Sequence, residues 1–87
     1  MRQFKLDGKA LNDMRFWLAN NRRILDKIFR LMEEVARDPF DGIGKPEPLR
    51  GDKSGRWSRR ITDEHRMVYE VTDEFIIVYS LHGHYED

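Results

Sequence analysis

The feature that most constrains this chain is the apolar spacing between Arg22 and Arg37. The apolar residues of that stretch follow one wide helical face: Ile24, Leu25, Ile28, Phe29, Leu31, Met32, Val35 and Ala36. A helix with so wide an apolar face must bury it against another element. Asp38-Pro39 ends this helix, because proline disfavours the α conformation in the residue before it.

A second helical pattern precedes this one. Residues 8 to 20 carry an apolar stripe made of Leu11, Met14, Trp17 and Leu18. Asn20-Asn21 lies between the two patterns and can form a turn or an N-cap, which predicts a helical hairpin. Residues 2 to 6 alternate weakly and predict a short first strand.

Three strand patterns follow the helices. They span residues 56 to 62, 66 to 71 and 75 to 81, and they are rich in β-branched and aromatic residues. Thr-Asp-Glu stands between strand patterns twice, which predicts two tight antiparallel hairpins. The order is β-α-α-β-β-β, so we predict an α+β domain with the helical hairpin on one face of a small antiparallel sheet. The other face would remain free for a ligand.

The size and composition of the chain favour a single domain. At 87 residues there is room for one domain, residues 1 to 87. Without cysteine the chain can form neither a disulfide nor a thiolate metal site, which suits a reducing cytoplasm. The sequence shows no signal peptide and no membrane-spanning run. We therefore predict a soluble cytoplasmic protein with no membrane partner.

Charge is distributed unevenly although the formal net charge is zero. Residues 45 to 66 carry seven Lys/Arg against four acids, whereas residues 67 to 87 carry five acids and neither Lys nor Arg. A local basic patch is enough to hold phosphates, because counterion release depends on the charges near the backbone. The alternative is an ordinary surface of mixed, solvated charges.

The loop from residue 39 to residue 55 contains the strongest candidate for a catalytic base. It holds all three prolines and four of the six glycines, and an ordered loop of this length is more often functional than incidental. Glu47 lies between Pro46 and Pro48, whose rings fix φ and stiffen the segment. Glu47 could remove a proton, although most loop glutamates only improve solubility.

Arginines are the candidate phosphate ligands. Arg59, Arg60 and Arg66 lie on consecutive predicted strands, where Arg59 and Arg60 must point to opposite faces. The planar guanidinium can donate two hydrogen bonds to neighbouring phosphate oxygens. The alternative for these arginines is a surface salt bridge to a nearby glutamate.

The C-terminus supplies candidate proton donors. His82 and His84 project from the same face if the last strand continues, and histidine titrates near physiological pH. Tyr85 could stack on a base or donate its hydroxyl. No carboxylate with matching ligand spacing completes a metal site with the histidines, so we expect no metal.

Four segments together resemble the YoeB (Txe/YoeB) toxins of bacterial type II toxin-antitoxin modules, within the RelE-like superfamily. These segments are residues 38 to 49, residues 54 to 61, residues 64 to 69, and His84-Tyr85. The resemblance implies a fold like that of the small microbial ribonucleases. It also implies metal-independent endoribonuclease activity without a cofactor, directed at messenger RNA in the ribosomal A site.

The resemblance assigns a role to individual residues. It implies Glu47 as the general base, Arg66 as the transition-state clamp, His84 as the general acid and Tyr85 as a supporting residue. Because Gly83 and His82 precede His84, either His82 or His84 could be the acid. The basic residues expected to contact mRNA or ribosomal RNA are Lys45, Lys53, Arg59 and Arg60.

The same resemblance implies partners, and a rival function stays open. The expected partners are a YefM-like antitoxin that neutralises the toxin, the ribosome with its mRNA, and a second copy of the chain in a homodimer. The rival is a noncatalytic module that binds the ribosome or the antitoxin, including a degenerate toxin that has lost its activity. New RNA ends would distinguish a nuclease from such a module.

Overall fold

Two helices pack against one face of a five-stranded sheet in a computed structural model that describes residues 2–83. The chain begins with strand β1 and continues into a helical hairpin, and the remaining strands follow. The elements are β1 (Gln3–Leu6), α1 (Gly8–Asn20), α2 (Arg22–Arg37), β2 (Glu47–Pro48), a 3-10 turn (Gly51–Lys53), β3 (Arg56–Arg60), β4 (Arg66–Val71) and β5 (Phe75–Ser80).

The sheet is mixed, which corrects the prediction of an antiparallel sheet. Its strand order is β1-β5-β4-β3-β2, and β1 runs parallel to β5 while the other neighbours are antiparallel. Residue patterns identify a strand but not its direction, which here follows from the helical hairpin that separates β1 from the rest of the sheet. Strand β2 was not predicted, because two residues that include a proline carry no strand pattern.

Both predicted helices are confirmed, and local hydrogen bonds explain where they begin and end. The Asp7 side chain accepts from the backbone N–H of Lys9 at 3.2 Å and caps α1. Asn21 serves both helices: its N–H donates to the Trp17 carbonyl at 2.8 Å, and its side chain accepts from Ile24 at 3.4 Å. Within residues 2–83, neither helix is long and apolar enough to cross a membrane.

Helix α1 buries only part of the predicted stripe, namely Trp17 and, partly, Met14. Leu11 and Leu18 are about half exposed, whereas Ala10, Asp13 and Trp17 are buried. A buried carboxylate explains the difference, since Asp13 accepts hydrogen bonds from Lys9 at 2.7 Å and from the backbone N–H of Leu81 at 2.9 Å. Counting apolar residues misses such a position because charged groups are buried only when they are paired.

The core lies between the helical hairpin and the sheet. Helix α2 contributes the face that its periodicity predicts, through Ile28, Leu31 and Val35. Strands β4 and β5 contribute alternate residues, as expected for side chains that point to opposite faces of a sheet. The buried cluster consists of Ala10, Trp17, Ile28, Leu31, Val35, Ile61, Met67, Tyr69, Ile76, Val78 and Leu81.

The loop after α2 lies directly against β3. The backbone N–H of Arg60 donates to the Gly44 carbonyl at 2.6 Å. Gly44 has φ +84°, and a Cβ atom there would lie 3.0 Å from the Arg60 carbonyl oxygen and 3.3 Å from Arg59 Cβ. Only glycine fits this approach without strain. The contact fixes the loop just before it reaches Glu47.

Gly44→Ala is expected to destabilise the fold by about 3 kcal/mol, because a left-handed backbone conformation and a steric clash combine. Gly51→Ala is the matched control, since Gly51 has φ +68° but nothing within 4 Å of an added Cβ. It should cost only about 1 kcal/mol. Urea denaturation monitored by circular dichroism measures both values. Equal losses in the two variants would contradict the close approach at Gly44.

Candidate active site

One row of side chains crosses the sheet on the face opposite the helices. Glu47 pairs with Ser58, Ser58 pairs with Val68, and Val68 pairs with Ser80. Directly paired residues point to the same face of a sheet, so the Glu47 side chain belongs to this open face. The pairing also holds the Glu47 backbone in an extended conformation at the edge of the sheet, and its side chain is exposed.

Arg66 shares this face with Glu47. It lies two residues before Val68 on β4 and pairs with Arg60 of β3. From the usual strand spacing and rise, the Cα atoms of Glu47 and Arg66 are about 12 Å apart. Long acidic and guanidinium side chains at this separation can contact one nucleotide lying between them. The Arg66 Nη1 group donates to the backbone carbonyls of Thr62 and Asp63, at 2.7 and 2.9 Å.

The chain immediately before His84 lies beside Arg66. The Gly83 carbonyl accepts from the backbone N–H of Arg66 at 3.0 Å. His84 and Tyr85, the predicted acid and its supporting residue, lie outside the described residues. The structure therefore brings together Glu47, Arg66 and the segment that leads to His84, although these positions are far apart in the sequence.

Residues 81–83, which we call the C-terminal clamp segment, are held by hydrogen bonds from other elements. The side chain of Asp13 accepts from Leu81 N–H, and Trp17 Nε1 donates to the Leu81 carbonyl at 2.9 Å. Lys9 Nζ donates to the His82 carbonyl at 3.3 Å. The Gly83 N–H donates to His65 Nδ1 at 2.9 Å. The C-terminal clamp segment belongs to no helix or strand, and these hydrogen bonds fix its position.

His82 does not continue the last strand. Strand β5 ends at Ser80, so the condition under which His82 and His84 would share one strand face is not met at His82. His84 lies outside the described residues. The clamp contacts turn the chain away from strand geometry. The His82 ring packs instead against the rings of Phe16, Trp17 and His65, with centroid distances of 4.7, 5.2 and 4.6 Å.

Arg59 was predicted to contact RNA, but the structure gives it a structural role. Its side chain is 0% exposed. The guanidinium donates to the backbone carbonyls of Asp38, Asp41 and Ile43, the last two at 2.7 and 3.2 Å, and to the Tyr69 hydroxyl at 3.1 Å. Arg59 is buried and Arg60 is exposed, as expected for neighbours that point to opposite faces. The burial of Arg59 and its four acceptors contradict its assignment to RNA.

The Tyr69 hydroxyl completes this buried network. It donates to the Pro39 carbonyl at 2.6 Å. Burial raises the pKa of Tyr69 above its ordinary 10.0, although the neighbouring Arg59 guanidinium acts in the opposite direction. The neutral phenol is therefore the form that the fold stabilises.

The other predicted basic residues stay accessible. Arg60 is exposed and lines a cavity of about 730 Å³ together with Lys27 and Arg30. Lys45 is exposed in the loop before β2, with φ +50°. Lys53 is half-buried and lines a second cavity, of about 420 Å³, on the open face. Their roles in RNA binding stay predictions.

A cluster that sequence reasoning missed lies beside Lys53 on the open face. The Arg56 guanidinium lies 3.6 Å from the centroid of the Tyr79 ring, and the Tyr79 hydroxyl donates to Glu70 at 2.8 Å. The hydrogen bond to Glu70 raises the pKa of Tyr79 above 10.0, and desolvation adds to this effect. The alternation of β3 and β4 could have placed Arg56 and Glu70 on one face, but the bulge between Val68 and Tyr69 hides the register of Tyr79.

This arrangement suits acid-base chemistry on a bound phosphodiester. A carboxylate at the edge of the sheet faces the same space as a guanidinium on a central strand. In residues 2–83, no group of three or more His, Asp or Glu side chains is placed to hold a metal ion. The carboxylate can accept a proton, and the guanidinium can stabilise negative charge.

Comparison with known proteins identifies one family along nearly the whole chain. Residues 6–85 match the model of the YoeB-like toxin of bacterial type II toxin-antitoxin systems. Toxin YoeB of Mycobacterium bovis is 51% identical over 85 residues, covering 98% of this chain and 100% of that protein. Toxin YoeB of Escherichia coli K12 is 47% identical over 77 residues, covering 88% and 92%.

Solved structures show the same fold. A YoeB/ParE toxin from Agrobacterium tumefaciens superposes with a TM-score of 0.92 at 41% identity, covering 95% of this chain and 99% of that one. A YoeB-YefM complex from Staphylococcus aureus gives 0.88 at 36% identity, covering 98% and 99%. A YoeB dimer from the same species gives 0.90 at 35% identity, covering 97% and 98%.

Arg59→Lys is expected to destabilise the fold by about 2–4 kcal/mol, because one ammonium group cannot replace a guanidinium fork and leaves buried acceptors unsatisfied. Arg60→Lys, the same change at the neighbouring exposed position, should change stability by less than about 0.5 kcal/mol. Denaturant midpoints at neutral pH measure the difference. If Arg59→Lys has the same denaturant midpoint as Arg60→Lys, the buried network is contradicted.

Stability is expected to fall as pH rises above about 10, because folded Tyr69 keeps its proton where the unfolded chain releases it. Because the pKa of Tyr69 is raised in the folded state, its contribution to the free energy of unfolding is complete below about pH 10. The contribution is lost as the pH rises through the pKa of folded Tyr69. Denaturation of the wild type and Tyr69→Phe between about pH 9 and about pH 11 tests this. The variant should lose less stability over that window, and parallel curves would refute the assignment.

Proposed function

The chain belongs to the family of YoeB-like toxins of bacterial type II toxin-antitoxin systems, and from this membership we propose that it is an endoribonuclease that cleaves messenger RNA in the ribosomal A site. The observation that supports this most is the open sheet face. There Glu47 and Arg66 share one surface, and the segment leading to His84 lies beside Arg66.

The proposed reaction uses a nucleophile that the substrate supplies. Glu47 removes the proton from a ribose 2′-hydroxyl, whose oxygen then attacks the adjacent phosphorus. The bond from phosphorus to the 5′-oxygen breaks, and His84 protonates that leaving oxygen. The products are a 2′,3′-cyclic phosphate and a 5′-hydroxyl end, so the reaction needs neither a metal ion nor a cofactor.

Arg66 would stabilise the negative charge that grows on the phosphate during this step. A guanidinium carries five N–H donors, and the Nη1 group of Arg66 donates to the carbonyls of Thr62, Asp63 and His65. Those contacts hold the side chain over the turn between β3 and β4, beside the open face. Holding a donor in place before the charge develops lowers the cost of reorganisation.

His84 is proposed as the acid in preference to His82. The His82 ring is half-buried and packed against Phe16, Trp17 and His65, which restricts its approach to a scissile phosphate. Tyr85 is proposed as the supporting residue next to it. Among the basic residues, Lys45, Lys53 and Arg60 remain candidates for contacts with mRNA or ribosomal RNA.

The ribosome would supply the alignment of the substrate that the isolated site lacks. One positioned acid or base contributes about 10² to 10⁴-fold. Holding the 2′-hydroxyl in line with the leaving oxygen can contribute still more, and an mRNA fixed in the A site is held in this way. We therefore expect weak cleavage of free RNA and strong cleavage on the ribosome.

The proposed partners follow from the relatives. A YoeB-YefM complex and a YoeB dimer are known from Staphylococcus aureus, so we propose a YefM-like antitoxin and a homodimer for this chain. A toxin that acts on translating ribosomes works in the cytoplasm. Binding of the antitoxin would neutralise the nuclease.

Glu47→Gln and His84→Ala are each expected to lower A-site cleavage by at least about 10²-fold, because each removes one proton-transfer group. Primer extension on a defined mRNA in a purified translation system counts the new RNA ends. Glu33→Gln is the matched control, since Glu33 is an exposed glutamate on α2, and it should cleave like the wild type.

Two results would reject the proposed function. If the wild type blocks translation without producing new RNA ends, the chain is a noncatalytic module or a degenerate toxin. If Glu47→Gln and His84→Ala cleave like the Glu33→Gln control, the cleavage is not carried out by these residues. Binding of each variant to the antitoxin shows that it is folded.

A further inference from the structure

We propose that His65 is a positioning residue for the general acid. Its Nδ1 atom accepts a hydrogen bond from the Gly83 N–H and thereby fixes the backbone that leads into His84. This inference rests on the proposed function, because it assumes that His84 donates the proton. His65 itself would not touch the substrate. The argument starts from the hydrogen bond of 2.9 Å that joins the two residues.

The His65 ring is held in place on two sides. Its centroid lies 4.8 Å from the Trp17 ring and 4.6 Å from the His82 ring. Trp17 is 4% exposed and belongs to the core. A ring confined between a core residue and the clamp segment keeps one orientation, so its Nδ1 atom stays directed at Gly83.

The backbone of His65 is equally well fixed. Its N–H donates to the Thr62 hydroxyl at 3.1 Å, and its carbonyl accepts from the N–H groups of Ile61 and Thr62 at 2.9 and 3.2 Å. Ile61 is fully buried. The histidine therefore projects from a closed turn between β3 and β4, and the turn immediately precedes Arg66.

The hydrogen bond also sets the protonation state of the ring. Because the Gly83 N–H is the donor, Nδ1 must offer a lone pair, and the neutral ring carries its proton on Nε2. An aliphatic side chain of similar volume could fill the space but could not accept this bond. The position therefore requires an acceptor, which packing alone would not require.

Gly83 transmits this constraint to the next residue. Its N–H is bound by His65, and its carbonyl is bound by the Arg66 N–H at 3.0 Å. Gly83 has φ +90°, a conformation that glycine adopts readily, and hydrogen bonds to both of its peptide groups restrict its backbone there. Because a peptide group is planar, a bonded Gly83 carbonyl restricts the direction in which the chain leaves the clamp segment.

Two neighbouring residues of the chain thus hydrogen-bond to the backbone of Gly83. His65 binds the N–H of Gly83 and Arg66 binds its carbonyl. The same Arg66 presents the guanidinium proposed to stabilise the phosphate. A shift of Gly83 would therefore move the acid relative to the charge-stabilising group, and a displacement of about 1 Å can cost about 10²-fold in rate.

The test compares His65→Leu with His65→Asn. Leucine fills the space without accepting a hydrogen bond, whereas the Oδ1 atom of asparagine branches from the γ position as Nδ1 does in histidine and can accept the Gly83 N–H. On ribosomes programmed with a defined mRNA, His65→Leu should lower kcat about 10-fold or more and leave KM for the ribosome unchanged. His65→Asn should stay within about 3-fold of the wild type.

A second measurement detects the hydrogen bond directly, first in the wild type and then in the two variants. In NMR spectra of the wild type, the His65 ring should be the neutral Nε2–H form, and the Gly83 amide should be protected from hydrogen exchange. That protection should be lost in His65→Leu and kept in His65→Asn. If His65→Leu is too unstable to assay, the wild-type spectra still decide, since an unprotected Gly83 amide overturns the proposal.

The outcomes separate this proposal from the proposed function. If His84→Ala cleaves normally, the assignment of the acid fails and the role of His65 fails with it. If His84→Ala is inactive while His65→Leu keeps the wild-type kcat, only the positioning role is overturned. Equal loss of activity in His65→Leu and His65→Asn also overturns it, because the acceptor would then be irrelevant.

Discussion

The structure depends on the burial of the Arg59 guanidinium beneath the loop that follows α2. A buried charge is costly unless its hydrogen-bonding groups are satisfied. Here backbone carbonyls of residues 38, 41 and 43, together with the Tyr69 hydroxyl, supply the acceptors. The loop in turn obtains donors for carbonyls that have no partner in a helix or strand. One side chain thus fastens an irregular segment to the centre of the sheet.

That attachment has a direct consequence for the candidate site. The loop continues through Gly44, which lies against β3, into the two-residue strand that carries Glu47. The C-terminal clamp segment is fixed in a similar way from the other direction, by side chains of α1 and by His65. Both irregular segments approach the same open face, where β4 presents Arg66. Local strand and helix propensities contribute little to either segment, so tertiary hydrogen bonds determine where the proposed base is held and where the chain enters the proposed acid.

Much of the fold could be predicted from residue patterns. The helix from Arg22 to Arg37 and the strand from Arg66 to Val71 have the predicted bounds, because strong periodicity reports on burial directly. Prediction failed where burial did not follow apolarity. Asp13 is buried on α1 while Leu11 is exposed, and Arg59 is buried although it reads as a surface cation. In each case the charged group hydrogen-bonds to polar groups from a distant part of the chain. The spacing of apolar residues carries no information about such contacts.

The amino-acid sequence by itself determined the helical hairpin, four of the five strands and the basic stretch, because composition and spacing are local properties. It also supplied the candidate site residues, whose roles follow from the family resemblance. Only the tertiary structure decided that β1 runs parallel to β5, that Arg59 serves the fold, and that Glu47 and Arg66 share a face beside Gly83. The physical reason is that strand register and the partners of buried polar groups join residues distant in the chain. Such pairings are fixed when the whole core closes, and no single segment encodes them.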